Sequence, residues 1–132
     1  GYGRVGSRIC ACLKEKGIPF VVAEQDREIV ERLRKDGIVA VSGDAASEMT
    51  IAQAHVSKAS VLVIATPDTM KVRRMAEIAK ELNPSIEIII RTGCEMEANL
   101  LKREGIGEVF LGEEELAKSM AASALQSLKA KA

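Results

Sequence analysis

The chain has no tryptophan, one tyrosine and two phenylalanines in 132 residues. Binding of single-stranded nucleic acid relies on aromatic stacking platforms, so that class of function is not expected. Charge of one sign is also lacking: 19 basic and 19 acidic residues cancel. No broad electrostatic footprint for nucleic acid or anionic lipid follows. The three cysteines are too few and wrongly spaced for a disulfide framework or a zinc set. Cys10 and Cys12 sit two apart on a predicted helix and point to different faces. All three are read as buried or half-buried thiols of a reducing compartment. The one histidine, His55, has no second metal-ligand type nearby and is read as structural, closing a predicted helix at "AQAHV". No metal site is expected. No apolar run approaches the ~18 residues that span a bilayer, and no signal peptide is visible. The chain is expected to be soluble, alone or as a soluble piece of a membrane protein.

What is present is the composition of a folded domain, 47% hydrophobic and 29% charged. Its length suits one domain with a real core. Two periods alternate along it. "PFVVAE" (19–24), "VAVSG" (39–43), "SVLVIAT" (60–66), "IEIIIR" (86–91) and, more weakly, "EVFLG" (108–112) predict strands. Runs such as "VLVIA" are nearly continuous, which suggests strands covered on both faces in a parallel sheet. Helical spacing fills the intervals. Val5, Ile9, Cys12 and Leu13 mark a helix stopped by Gly17. Asp26 caps one that carries Ile29, Val30 and Leu33 and stops at Gly37. Ser47 or Asp44 starts a short one through "MTIAQAHV". Asp68 or Thr69 starts one that ends at Asn83–Pro84. Met96, Leu100 and Leu101 mark another, ended by Gly105. A last helix from about Glu113 carries Leu116, Met120, Ala124 and Leu128, with acids in its first turn and lysines at its end. The fold class is therefore α/β: a Rossmann-like, doubly wound parallel sheet with helices on both faces. One element is missing, the strand that should precede "GYGRVG". That strand is expected to lie upstream of Gly1, within a larger protein.

"GYGRVG" has the G-x-G-x-x-G spacing of a phosphate-binding turn. The first glycine makes the turn, the second lets the backbone approach a pyrophosphate, and the third lets helix and strand pack closely. The helix from Val5 directs its N-terminus at the anion. A strand follows and ends on Glu24, an acid placed to accept from ribose hydroxyls and to repel a 2′-phosphate. NAD or an adenosine nucleotide is thus favoured over NADP. "GDA" ends the next strand, where Asp44 either contacts the adenine amino group or only caps a helix. Thr66 in "ATPD" lies on the same rim near the diphosphate. Arg91 meets either a phosphate or an acidic neighbour. No Ser-His-Asp set, Tyr-x-x-x-Lys pair or His-Asp relay accompanies them, so nucleotide binding without catalysis is expected.

"GYGRVG", the acid of "FVVAE", "VSGDA", "VLVIATPD" and "IEIIIR" occur in the order and spacing of the TrkA-N domain, the RCK N-lobe of potassium channels and transporters. The form with Arg4 after the second glycine most resembles the C-terminal domain of Kef/YbaL-type cation:proton antiporters. The resemblance covers essentially the whole chain. It implies one regulatory domain over 1–132 that binds AMP or NAD(H) at the cytoplasmic face of the inner membrane. A transmembrane antiporter unit would lie upstream in the same polypeptide. It implies a ligand shell of Gly1, Gly3, Arg4 and Val5 at the phosphates, Glu24 and Gln25 at the ribose, Asp44 and Ala45 at the adenine, and Thr66 and Arg91 on the rim. It also implies a homodimer through residues 113–132; the alternative for that helix is packing on its own sheet. Glu24 stands where many members have Asp, and no second RCK lobe follows, which fits the Kef-like subgroup. Rival readings are the cofactor half of an NAD-dependent oxidoreductase and a peripheral subunit of a potassium uptake system.

Overall fold

In the computed structural model, which describes residues 1–66 and 69–131, helices and short strands alternate along the chain. Helix α1 (Arg4–Glu15) follows the glycine turn, and Gly17 takes up φ 69° just beyond its end. Strand β1 (Val22–Glu24) leads to α2 (Arg27–Lys35). The Asp26 carboxylate caps α2 by accepting the Glu28 N–H at 2.9 Å. Next come β2 (Ala40–Ser42), α3 (Glu48–Gln53), a single 3₁₀ turn (Val56–Lys58) and β3 (Val61–Ile64). Then follow α4 (Thr69–Leu82), β4 (Glu87–Thr92), α5 (Glu95–Glu104), β5 (Glu108–Leu111) and α6 (Gly112–Lys131). Of the two residues expected to start α4, Thr69 is its first; Asp68 lies outside the described residues, as do Pro67 of "ATPD" and Ala132.

The helix expected through Val56 ends earlier, at Gln53: His55, exposed and with φ 61°, closes it just beyond the Ala54 C-cap and separates α3 from the 3₁₀ turn. Of the two residues expected to start α3, Ser47 is its N-cap and Asp44 is not. The carbonyls of Val56 and Ala59, beside that 3₁₀ turn, are bound by Asn83 Nδ2 at 3.1 and 2.7 Å. The "NP" that stops α4 thus also fastens a remote turn.

Every strand pairing is parallel, as the connecting helices require. The expected single sheet occurs as two pieces, β1–β2 and β3–β4–β5. Ile64, Ile90 and Val109 align across the second piece. Among the described residues β1 and β3 are not hydrogen-bonded to one another. The break falls where the sequence reading expects a strand ahead of the glycine turn. At the C-terminal end of the break, the Gly1 nitrogen donates to the Ala23 carbonyl at 3.0 Å. A Cβ placed on Gly1 would stand 3.9 Å from Thr66 Cβ. The glycine turn therefore sits between the two sheet ends, in contact with both.

The core divides in the same way. A large cluster joins Ile64, Ile88 and Ile90 to Val72, Met75 and Ile78 of α4 and Leu101 of α5. A small one joins Val22 and Ala40 to Val30 and Leu33 of α2, with Tyr2 and Phe20 against it. Coverage of the strands is more one-sided than the continuous apolar runs suggested. In β4, Ile88, Ile90 and Thr92 are buried while Ile89 and Arg91 are half-buried. The alternation is that of a sheet with one well-covered face. Helix α6 contributes no buried residue. Its Leu116, Met120 and Leu128 are each more than 60% exposed, so packing on its own sheet does not occur.

Candidate functional site

The glycine turn is built by close approach. A Cβ on Gly6 would lie 2.2 Å from the Gly1 carbonyl oxygen and 3.6 Å from Ala65 Cβ, so only glycine fits there. Gly3, the N-cap of α1, meets nothing within 4 Å, which leaves its backbone open to an incoming group. Arg4 is exposed on the first turn of α1, and Val5 beside it is half-buried. No acidic residue occupies that turn, so nothing there competes with an anion for the helix N–H groups.

Glu24 is brought to this turn from β1. Its Oε1 accepts the Tyr2 N–H at 2.9 Å, and its Oε2 accepts the Asp26 N–H at 2.8 Å. The carboxylate thus ties the glycine turn to the strand end, and with the Gln25 N–H also directed at it, it keeps acceptor capacity for one further hydroxyl donor. Burial alone would raise its pKa. The N–H groups of Asp26 and Tyr2, the Gly1 ammonium and the N–H of Gln25 together outweigh that and hold it below the ordinary carboxylate range. The resulting stabilisation is complete above the unfolded value of about 4.3 and is lost as pH falls through the lower folded value. The melting temperature of the native chain should therefore exceed that of Glu24→Gln at neutral pH, with the gap closing on acidification. A gap that does not change with pH would show that the ionised carboxylate is not what holds the turn. Gln25 is exposed, and its backbone N–H is directed to Glu24.

The β2–α3 loop forms the next part of the rim. Gly43 has φ 153°, and its N–H donates to the Glu24 carbonyl at 3.1 Å. A Cβ there would strike Thr50 Oγ1 on α3 at 2.4 Å, so glycine is again required. Asp44 follows. Its Oδ1 accepts the Ala46 N–H at 2.9 Å and lies 3.4 Å from Lys71 Nζ on the first turn of α4. The Ala46 N–H, first, and the Lys71 ammonium keep this carboxyl below its ordinary range. Ala45 is half-buried against the large core and fixes the loop from beneath.

Thr66 is half-buried beside Gly1, on the rim. Arg91 lies one residue before the end of β4 and leans toward β3, where its Nη1 donates to the Ala65 carbonyl at 3.1 Å. Of the two partners expected for Arg91, the acidic neighbour is not found among the described residues. Glycine turn, Glu24, Asp44, Thr66 and Arg91 all lie at the C-terminal ends of parallel strands, the edge at which open α/β sheets bind ligands. The arrangement offers a helix N-terminus for phosphate, an ionised acid for a sugar diol and a second acid for a donor group on a base. Among the described residues no group of three or more His, Cys, Asp or Glu side chains could hold a metal ion.

Residues 1–112 match the family model of the TrkA-N domain. This chain belongs to the TrkA-N domain family. It is 38% identical over 120 residues to the putative cation/proton antiporter YbaL of Escherichia coli K12. That alignment covers 91% of this chain and 22% of YbaL, so the chain spans about a fifth of that relative's length. The crystal structure of the TrkA-N domain of the E. coli inner membrane protein YbaL superposes with a TM-score of 0.85 at 37% identity, over 92% of this chain and 90% of that one. The Kef C-terminal domain of Shewanella denitrificans, solved in an AMP-bound form, shares the fold with a TM-score of 0.80 at 24% identity, over 97% of this chain and 78% of that one.

Some working parts of this TrkA-N domain were not singled out by sequence reasoning. Tyr2 contributes through its amide, Ala65 through its carbonyl and Thr50 through its bulk beneath Gly43. None carries a local signal, because each acts through backbone or volume. Lys71 did carry one. A lysine in the first turn of a helix opposes the helix dipole and calls for a nearby anion. Asp44 is that anion. No helix of the described residues is long and apolar enough to cross a membrane.

Proposed function

We propose that this chain is the nucleotide-sensing regulatory domain of a cation:proton antiporter, and that it binds AMP or NAD(H) without catalysing a reaction. The observation that carries this reading is the glycine turn, held ready at the α1 N-terminus by Gly6 and by Glu24. In it Gly1, Gly3, Arg4 and Val5 take the phosphates, Glu24 and Gln25 the ribose, Asp44 and Ala45 the adenine, and Thr66 and Arg91 the rim. The likeness to YbaL supports the assignment to an antiporter, and the AMP of the Kef structure supports the ligand class. The transport unit lies upstream in the same polypeptide, and the domain, residues 1–132, works at the cytoplasmic face of the inner membrane. Ligand occupancy shifts the conformation of a dimer, by no more than the ligand's differential affinity for its two states.

The ligand reading is tested by thermal shift with AMP, ATP, NAD, NADH and NADP. At least one adenine ligand should stabilise the chain, by about 2.7 kcal/mol at a hundredfold excess over its Kd. NADP should do less than NAD, because Glu24 repels the 2′-phosphate. Absence of any shift overturns the reading.

The dimer rests on α6, whose Leu116, Met120 and Leu128 face water in the isolated chain. Sedimentation equilibrium should give twice the chain mass for the native protein. Leu116→Glu with Leu128→Glu should give the single mass with the core intact. A native monomer at micromolar concentration removes the dimer from the proposal.

A further inference from the structure

An ion pair that the nucleotide reading leaves unused joins the β2–α3 loop to the first turn of α4. Lys71 Nζ lies 3.4 Å from Asp44 Oδ1, the oxygen that also accepts the Ala46 N–H at 2.9 Å. The Ala46 N–H hydrogen-bonds this oxygen, and the Lys71 ammonium faces it as an ion-pair partner. Among the described residues no partner falls on Oδ2. A carboxylate is otherwise a broad, roughly two-fold rotor about χ2. Here one donor comes from its own loop and the other from a helix that follows the second sheet piece, so the rotor is held from both sides of the break between the sheets. The Lys71 side chain is 33% exposed and that of Asp44 46%, so the pair is partly screened by solvent while packing of the lysine restricts where its ammonium can go.

We infer that Lys71 is a positioning residue for base recognition: by holding Asp44 Oδ1 it leaves Oδ2 as a fixed acceptor, so the site selects purines with an amino group at C6 over those with a carbonyl. This rests on the reading of Asp44 as the adenine contact. An ionised carboxylate accepts hydrogen bonds and donates none. The C6 amino group of adenine meets that requirement. Hypoxanthine presents a carbonyl oxygen at the same place, and two acceptors face to face leave both unpaired. The lysine has a second effect. With Asp44 gone, its ammonium remains at the rim as a pure donor, suited to a C6 carbonyl.

The test is calorimetric titration of the full chain with AMP and with IMP, which differ at C6 and in the N1 proton. The native chain should prefer AMP by about tenfold or more. Lys71→Ala should cut that preference by about threefold or more, and Lys71→Arg, which keeps a donor to Oδ1, should retain it. Asp44→Ala should bring the preference to parity or reverse it toward IMP. Melting temperatures of the variants check that the fold is kept. A Lys71→Ala chain whose AMP-to-IMP ratio is unchanged overturns the inference and leaves the nucleotide reading standing. Loss of AMP and IMP affinity by the same factor also overturns it, since that assigns Lys71 to the phosphate or to the loop alone. A native chain that binds neither AMP, IMP nor NAD overturns the nucleotide reading and the inference together.

Discussion

Gly6→Ala is expected to lose adenine-nucleotide affinity by tenfold or more and to melt about 5–10 °C lower, the effect of about 2 kcal/mol in a domain of this size. The new methyl carbon would fall 2.2 Å from the Gly1 carbonyl oxygen. That atom is backbone and cannot rotate away, so residues 1 and 2 must move as a unit. Two bonds then go with them: Gly1 nitrogen to the Ala23 carbonyl, and Tyr2 N–H to Glu24. Each contributes about 1 kcal/mol, the one to the carboxylate somewhat more. Gly3→Ala is the control. Its Cβ meets nothing within 4 Å and its φ of −93° suits any residue, so the melting temperature should barely change. Its methyl group would nevertheless stand where the backbone must approach a phosphate, and affinity should fall. Calorimetry with AMP and a melting scan on both variants separate the two roles. Equal behaviour of the two variants would mean that the turn is pliant rather than preformed.

Ile90→Ala is expected to destabilise the chain by about 3–5 kcal/mol, enough to leave a small domain barely folded. Ile90 is fully buried at the centre of β4, aligned with Ile64 on one side and Val109 on the other. The cavity has little means of collapse, because both neighbouring strands are hydrogen-bonded in place and α4 covers it. Ile89→Ala, one residue earlier on the half-buried face, should cost less than about half as much if β4 has one well-covered face. Equal losses in urea unfolding would show that both faces of the sheet are sealed, as the continuous apolar run first suggested.

The secondary structure was legible because its signals are local. Gly17, Gly37 and Gly105 adopt the positive φ expected of helix stops, and Asp26 caps α2 as its position indicated. The strands came out shorter than their apolar runs. "PFVVAE" yields only Val22–Glu24, since Pro19 lacks an N–H and the residues before Val22 find no ladder partner. Helical spacing continues through "AQAHV", yet α3 ends at Gln53, where the left-handed backbone of His55 turns the chain into the 3₁₀ turn whose carbonyls Asn83 binds.

The order of elements, the glycine turn and the chemical type of each rim residue were determined by the sequence alone, since period, cap and turn chemistry act over a few neighbours. The partners of those rim residues were decided by tertiary structure. Arg91 reaches the Ala65 carbonyl, just beyond β3, instead of an acid. Asp44 holds a lysine 27 residues away rather than capping its own helix. Glu24 binds the amide of a residue 22 positions earlier. Each of these contacts joins segments remote in the chain and exists only once the two sheet pieces and their helices have packed. The division of the core between those pieces, and the bare apolar face of α6, arise in the same way. Burial depends on what stands opposite a residue, and a linear pattern carries no record of that.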